Sequence, residues 1–274
     1  MPRTLTCAIA QMNARLGATA ANLTEVCRLS ALAAGRGARL IILPEGCLTG
    51  NAFGDAARQA TLPLEPRAFA PLADAARQHG ITICAGFATP FGRSFNIVQA
   101  IALPTGEILF QRKAAKAATE EAFLEPWPDP ARTVFAVDGV RVALTICSEF
   151  GAPRVMATIA AAQPDLLLHP SAGHMQPEEV WRPETATSAP VLQFEPQCRQ
   201  IVERTAADVK ARGMPRLAAN PIGFDGATWW PGNSFAFAAD GTLAIWLPGE
   251  NRSERMQASF GVTTMPIPER TPAP

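Results

Sequence analysis

Residues 5–44 read LTCAIAQMNARLGATAANLTEVCRLSALAAGRGARLIILP, and the change of period along them decides the fold class. LTCAIAQM is an apolar run of strand length. From Ala18 to Gly35 the apolar residues recur at helical spacing without a proline, and RLIILP returns to a strand, with Gly or Asn at each transition. Strand, helix, strand is the α/β rhythm. It continues outward: a helix pattern from about Pro66 to His79 stops at Gly80 and leads into ITICAGFA, followed by SFNIVQAIAL, GEILFQRK and TVFAVDGVRVALTIC. Thr105-Gly106 and Asp138-Gly139 predict hairpins, so the sheet reads as mixed rather than purely parallel.

After Cys147 the pattern predicts a helix over about Ala152 to Ala162 and the apolar strand DLLLHP. Ser171 to Pro196 is Pro-containing and aperiodic, which predicts a long loop of the kind used as a lid or an interface piece. A helix over about Gln197 to Gly213, the strand RLAAN, a loop carrying Trp229 and Trp230, and two strands, NSFAFA and TLAIWL, joined at Asp240-Gly241, complete the pass. We read residues 1–265 as a single domain and the Pro-rich 266–274, PIPERTPAP, as a disordered tail.

Composition excludes several classes. The 24 Lys+Arg balance 24 Asp+Glu, so no net field draws the protein to nucleic acid or an anionic membrane. With 48% hydrophobic and 18% charged residues the chain can bury a large core, which excludes wholesale disorder. No stretch approaches ~18 uninterrupted apolar residues, and the apolar run near the N-terminus is too short and polar for a signal peptide. A cytoplasmic location is the expectation. The six cysteines form no CxxC pair and read as reduced, mostly core thiols.

Tyr is absent, and His occurs only at His79, His169 and His174, which leaves few candidates for His or Tyr mechanisms. Only three lysines, Lys113, Lys116 and Lys210, stand among the basic residues, the rest being Arg. Reactive groups in α/β folds sit where strands end in turns, because the strand fixes the backbone and the turn exposes the side chain. Three strand-like runs end that way: RLIILP on Glu45, GEILFQR on Lys113 and VALTI on Cys147. A carboxylate, an ammonium and a thiol can serve as base, electrophile and nucleophile toward a C–N centre. Singly, each is an ordinary capping, solvated or core residue.

Order, spacing and flanking residues together carry a resemblance to the nitrilase superfamily, the carbon-nitrogen hydrolases. Its marks are Ile42-Leu43-Pro44-Glu45-Gly46-Cys47-Leu48-Thr49-Gly50, then Phe110-Gln111-Arg112-Lys113, then Leu144-Thr145-Ile146-Cys147 with Pro153 six residues on. The stretch from Asp165 to Ser171, Ala218-Ala219-Asn220, Gly232-Asn233-Ser234 and Asp240-Gly241 extend it over roughly residues 5 to 248. The resemblance implies a four-layer α-β-β-α sandwich with two mixed sheets, and Glu45, Lys113 and Cys147 meeting at one edge. It implies that Glu45 is the base, Cys147 the nucleophile, and Lys113 with the backbone N–H of Ser148 the oxyanion donors. A second glutamate near an aromatic residue is also implied. Glu120 and Glu121 both fit, and the spacing to Phe123 favours Glu120.

The chain departs from relatives after the nucleophile, where Ser148-Glu149-Phe150-Gly151 lacks the basic residue that grips a substrate carboxylate in carbamoyl-type enzymes. Glu149 reads either as a substrate contact or as a cap on the helix near Ala152. Lys210-Ala211-Arg212-Gly213 replaces the usual late-helix stretch. Asn220 and Trp229 are further candidate substrate contacts. His169 and His174 lack a third ligand at useful spacing, so no metal and no cofactor are expected; a Cys147–His169 hydrolase is an alternative that would not need Glu45 or Lys113. The expected function is hydrolysis of a small amide (primary, ω-amide or carbamoyl) through a Cys thioester. The alternatives are a nitrilase or a silent binding or regulatory relative. A small-molecule amide or nitrile substrate and a homo-oligomer are the expected partners, with no nucleic acid and no membrane.

Overall fold

Strands β1 (Arg3–Gln11), β2 (Leu40–Ile42) and β3 (Thr82–Phe91) run parallel, β1 beside β2 and β2 beside β3. Such pairs need crossovers, and helices supply them: α1 (Thr19–Gly35) between the first two, and α2 (Gly54–Gln59) and α3 (Ala70–His79) between the next. The computed structural model describes residues 3–52, 54–173, 189–224, 228–248 and 258–269. α3 has Pro71 in its first turn, where a missing N–H costs nothing, and ends at Gly80 in the left-handed conformation. β4 (Ser94–Ala102) and β5 (Ile108–Arg112) extend the sheet antiparallel through the Thr105-Gly106 turn, and β14 (Ser259–Ile267) closes its other edge against β1. The order is β14-β1-β2-β3-β4-β5.

The second half repeats the plan. β6 (Phe135–Val137) and β7 (Val140–Leu144) form the hairpin at Asp138-Gly139; α4 (Pro153–Ala162) crosses to β8 (Leu166–Pro170), and α5 (Ala189–Arg212) to β9 (Arg216–Ala219). β10 (Ile222–Phe224) and β11 (Trp229–Pro231) make a two-stranded ribbon. β12 (Ser234–Phe237) and β13 (Leu243–Leu247) complete the order β13-β12-β9-β8-β7-β6.

Period-2 alternation sorts the two faces of each sheet. Leu5, Cys7 and Ile9 of β1 join Leu144, Leu166, Leu168 and Leu217 of the second sheet in one buried cluster. Ala8 and Ala10 point the other way, to Val26, Leu29 and Ala33 of α1 and Leu72 and Ala76 of α3. Across the molecule Ile159 of α4 covers Ala143 and Leu167, and Val209 of α5 covers Ala218 and Phe235. The layers are therefore helix, sheet, sheet, helix, in agreement with the expected sandwich. Burying each such Leu or Ile contributes about 1.5–3 kcal/mol.

Two expectations need correction. The C-terminal tail does not begin at residue 266: β14, which the period-2 reading missed, carries Pro266 and Ile267 into register with Thr4 and Arg3. A proline is tolerated there because β14 is an edge strand. The expected loop from Ser171 to Pro196 is helical from Ala189 onward, while residues 174–188, with His174 and Trp181, lie outside the described residues.

Candidate active site

Glu45 follows β2 in a loop that is pinned on several sides. Asn22 of α1 donates to the Leu48 carbonyl at 3.1 Å, Leu48 N donates to Gly86 O at 2.9 Å, and Glu45 N donates to Ser171 O at 3.2 Å, past the end of β8. Gly86 of β3 makes the approach possible, since a Cβ there would lie 1.8 Å from Glu45 O. The Thr-Gly pair of the motif has a structural reason as well: Thr49 Oγ1 accepts from Ala88 N at 3.0 Å, and Gly50 sits at a φ of +84° hard against the Leu16 backbone.

Lys113 leaves the end of β5. Its N–H donates to Ile97 O at 2.8 Å, and its carbonyl accepts from Asn96 Nδ2 at 2.9 Å and Trp127 N at 2.7 Å. The side chain is 0% exposed, with Nζ 2.7 Å from Glu45 Oε1 and 2.6 Å from Glu120 Oε1. Glu120, in a short 3-10 turn, is held from the other side by Ala117 N at 2.6 Å to Oε2. Cys147 follows β7 at a φ of +48°, in the left-handed region unusual for a residue with a Cβ. Its thiol interacts with the Glu45 carboxylate, the Lys113 ammonium, the Ser171 hydroxyl and the Ala172 N–H. Ser148 lies in the first turn of the 3-10 helix Cys147–Gly151, where N–H groups have no intrahelical acceptor, and its own Oγ donates to Ala115 O at 3.2 Å.

The electrostatics follow from burial and pairing. Desolvation pushes the Glu45 carboxyl above the usual carboxylate range, and Lys113 pulls it back in part. Burial alone would lower Lys113, but Glu45, Cys147 and Glu120 outweigh it and the ammonium stays protonated well beyond the ordinary lysine range. Desolvation, then the Glu45 charge, pushes the Cys147 thiol up to about 11 against the pull of Lys113. Glu45 Oε2 has no hydrogen-bond partner of standard geometry. Burial thus keeps the Cys147 thiol neutral rather than a preformed thiolate, beside the Glu45 carboxyl that Lys113 pairs with.

Glu45, Glu120 and Cys147 open onto a cavity of about 290 Å³. Its wall is mainly apolar, from Ala88, Phe95, Ile97, Phe123, Leu124 and Trp230, with Asn51 and Thr119 adding polar edges. Among the described residues lining it there is no Arg, Lys or His.

The other sequence candidates fall elsewhere. Glu121 is exposed and pairs with Lys116 at 2.7 Å, so Glu120 alone of the acidic pair reaches Lys113. Glu149 is neither a substrate contact nor a cap on α4: it is fully buried, and its oxygens accept from Ala114 N, Ile146 N and Arg132. Asn220 does not line the Cys147 cavity. It lines an adjoining one of about 370 Å³, accepts from Gly173 N at 3.2 Å and donates to Asn233 O at 3.1 Å. The side chain of Trp229 lies outside the described residues, and its neighbour Trp230 is the tryptophan at the cavity. His169 has Nδ1 3.1 Å from Thr145 Oγ1 and packs edge-on to Phe150; burial and the Arg216 charge push it down to about 3, so it is neutral, and it is not among the partners of the thiol. Among the described residues no three His, Cys, Asp or Glu side chains converge into a metal-binding group, and no helix is long and apolar enough to cross a membrane. Arg132 was missed, because its partner Glu149 lies 17 residues away and it sits in no recognisable pattern, and Ser171 was read only as the end of the Asp165–Ser171 stretch, with no role at the thiol.

Residues 6–259 match the carbon-nitrogen hydrolase family. Comparison with curated proteins finds no significant match. Among solved structures, a Cys-to-Ala mutant of the amidase of Nesterenkonia AN1, from the nitrilase superfamily, is similar with a TM-score of 0.73 at 21% identity, covering 96% of this chain and 90% of that one. The same amidase as a Cys-to-Ala mutant in complex with butyramide gives a TM-score of 0.72 at 21% identity, covering 96% and 91%. Its Glu-to-Gln mutant, with the acetamide moiety of fluoroacetamide added covalently at the active-site cysteine, gives 0.72 at 21% identity, covering 96% and 90%. At these identities the likeness is one of fold.

Proposed function

Since the chain belongs to the carbon-nitrogen hydrolase family, we propose that it hydrolyses small neutral primary amides with an apolar acyl group, through a thioester on Cys147. The observation that carries this reading is the placement of the Cys147 thiol beside Glu45, itself 2.7 Å from Lys113, on the wall of an apolar cavity without a described cationic side chain. No described residue of that wall is an arginine that could pair with a substrate carboxylate, which disfavours N-carbamoyl amino acids and ω-amidated acids. The Nesterenkonia amidase is described with butyramide and with acrylamide, both small neutral amides.

In the proposed reaction the carboxylate of Glu45 takes the thiol proton as Sγ attacks the carbonyl carbon. The raised thiol pKa makes this concerted transfer necessary, because little thiolate exists near neutral pH. Lys113 Nζ and the Ser148 N–H stabilise the developing oxyanion, a contribution of about 3–4 kcal/mol per donor. The C–N bond breaks as Glu45 returns the proton to nitrogen, and ammonia leaves the thioester. Glu45 then takes a proton from water, hydroxide adds to the thioester carbonyl, and the acid departs as the proton returns to sulfur. Glu120, hydrogen-bonded to Lys113 and lining the cavity, orients the ammonium and the incoming amide. The proposal extends to a homo-oligomer, which light scattering on the purified protein checks, and to a cytoplasmic location, which cell fractionation checks.

Ammonia release with intact-mass detection, over acetamide to hexanamide, benzamide, ω-amidated acids, N-carbamoyl amino acids and nitriles, tests the reading. Neutral amides should turn over with an acyl adduct on Cys147, at least about tenfold faster than the acidic substrates, because these bury an unpaired charge. Faster turnover of a nitrile would reassign the substrate. Silence throughout, with Cys147 no more reactive than the other thiols, would point to a non-catalytic relative.

A further inference from the structure

Glu149 is a buried charge next to the reaction centre that the mechanism above does not use. One carboxylate oxygen accepts from Ala114 N at 2.5 Å, and the other from Ile146 N at 2.7 Å and Arg132 Nη1 at 2.8 Å. Ala114 is the residue after Lys113, at the end of the first sheet; Ile146 is the residue before Cys147, at the end of the second. A single planar group therefore ties together the backbones that carry the lysine and the thiol. Arg132 is itself fixed, 0% exposed in its side chain and donating from Nε to Pro130 O at 2.7 Å. The carbonyl of Ala114 is gripped in turn by Arg154 from α4 at 2.5 Å.

We propose that Glu149, held by Arg132, is a positioning residue that sets the distance between Lys113 Nζ and Cys147 Sγ. The inference rests on the assignment of Cys147 as nucleophile. A carboxylate suits the task because it accepts from both N–H groups at once, whereas the amide of a glutamine has one acceptor and would turn a donor toward the other. A displacement of about 1 Å at a reaction centre costs on the order of 100-fold in rate, so a residue that never touches substrate can govern turnover.

Two variants test it. Glu149→Asp keeps the charge but withdraws the carboxylate by one methylene. The double variant Glu149→Gln with Arg132→Met removes both buried charges, a replacement that folds tolerate, while leaving one acceptor for two N–H groups. Both should lower kcat about 100-fold with KM within about threefold. Both should also slow iodoacetamide alkylation of Cys147 and move its pH profile upward, because the thiolate loses the nearby ammonium; a purely structural role would lower the melting temperature and leave that profile in place. Folded variants with wild-type kcat and a wild-type alkylation profile would overturn the inference, as would failure of both to fold, which would make Glu149 a folding residue. If Cys147 in the wild type alkylates no faster than the part-exposed Cys27, the nucleophile assignment fails and the inference falls with it; a reactive wild-type Cys147 with unaffected variants sinks the inference alone.

Discussion

Two cysteines stand past the ends of inner strands, one in each sheet, and they differ in what surrounds them rather than in how acidic they are. Cys47, after β2, is fully buried; its Sγ accepts from Gly86 N at 3.3 Å, and desolvation pushes the thiol up to about 12. Cys147, after β7, is pushed up to about 11 by burial and the Glu45 charge. Neither is a thiolate at neutral pH. Cys147 has the Glu45 carboxyl and the Lys113 ammonium beside it and lines a cavity, which in the proposed reaction receive its proton, hold the charge that follows and admit the substrate. Cys47 has a backbone amide. On the proposed mechanism reactivity resides in the neighbours and in access, and a thiol pKa taken alone would not separate the two.

The largest effect that could break this contrast is loss of the Cys147 sulfur. Cys147→Ala should lower turnover by about 10⁴-fold or more, since groups that act as a unit fail together; ammonia release measured to the background rate decides it. Residual activity above about 1% would mean another nucleophile.

Next come the neighbours. Glu45→Gln and Lys113→Met should each lower kcat by about 10³-fold, the loss of a general base and of an oxyanion donor respectively. Their effects on the thiol should run in opposite directions. The Glu45 charge raises the Cys147 pKa, so its removal leaves Lys113 unopposed and the alkylation profile should move to lower pH although turnover is lost. Removing Lys113 should move it to higher pH. A common shift for both variants would show that the thiol does not sense these two charges.

How far this site was legible in the sequence follows from the same neighbours. Glu45, Lys113 and Cys147 each close a strand-like run, so local period and flanking residues mark them, and the α/β class follows from strands and helices that alternate along the chain, whereas the two-sheet sandwich came only with the family resemblance. Contacts across the molecule were not legible. Spacing to Phe123 favoured Glu120 over Glu121, but the physical reason lay outside the pattern: Ala117 N and Lys113 Nζ fix one carboxylate while Lys116 draws the other outward. The burial of Glu149 depends on Arg132, 17 residues earlier, arriving from a loop without periodicity. β14 escaped because its sequence, SFGVTTMPI, alternates weakly, and its pairing partner lies at the opposite end of the chain.

A smaller effect is expected at Cys47. Cys47→Ala should leave kcat within about threefold of wild type while costing roughly 1–2 kcal/mol of stability, from a small cavity and a lost contact with Gly86. Denaturant melts alongside ammonia release check both halves. A large loss of turnover with little loss of stability would make Cys47 part of the site and erase the contrast.

The smallest effect on turnover belongs to His169, which braces the strand end that presents Cys147. Its Nδ1 lies 3.1 Å from Thr145 Oγ1, two residues before Cys147, and the Arg216 guanidinium adds to the burial that holds it neutral. A histidine pushed down to about 3 in the folded state but near 6.5 when unfolded takes up a proton only on unfolding between those values. Its stabilisation is therefore complete above pH 6.5 and is lost as pH falls toward 3, at a slope of one proton, which amounts to about 2 kcal/mol between pH 6.5 and 5. His169→Asn keeps a polar atom near Thr145 but cannot titrate. At pH 8 it should turn over at close to the wild-type rate, and in acid its stability should fall less steeply than that of the wild type. If the two acid limbs run parallel, His169 is not the group that titrates on unfolding, and the strand end bearing Cys147 does not depend on a neutral imidazole.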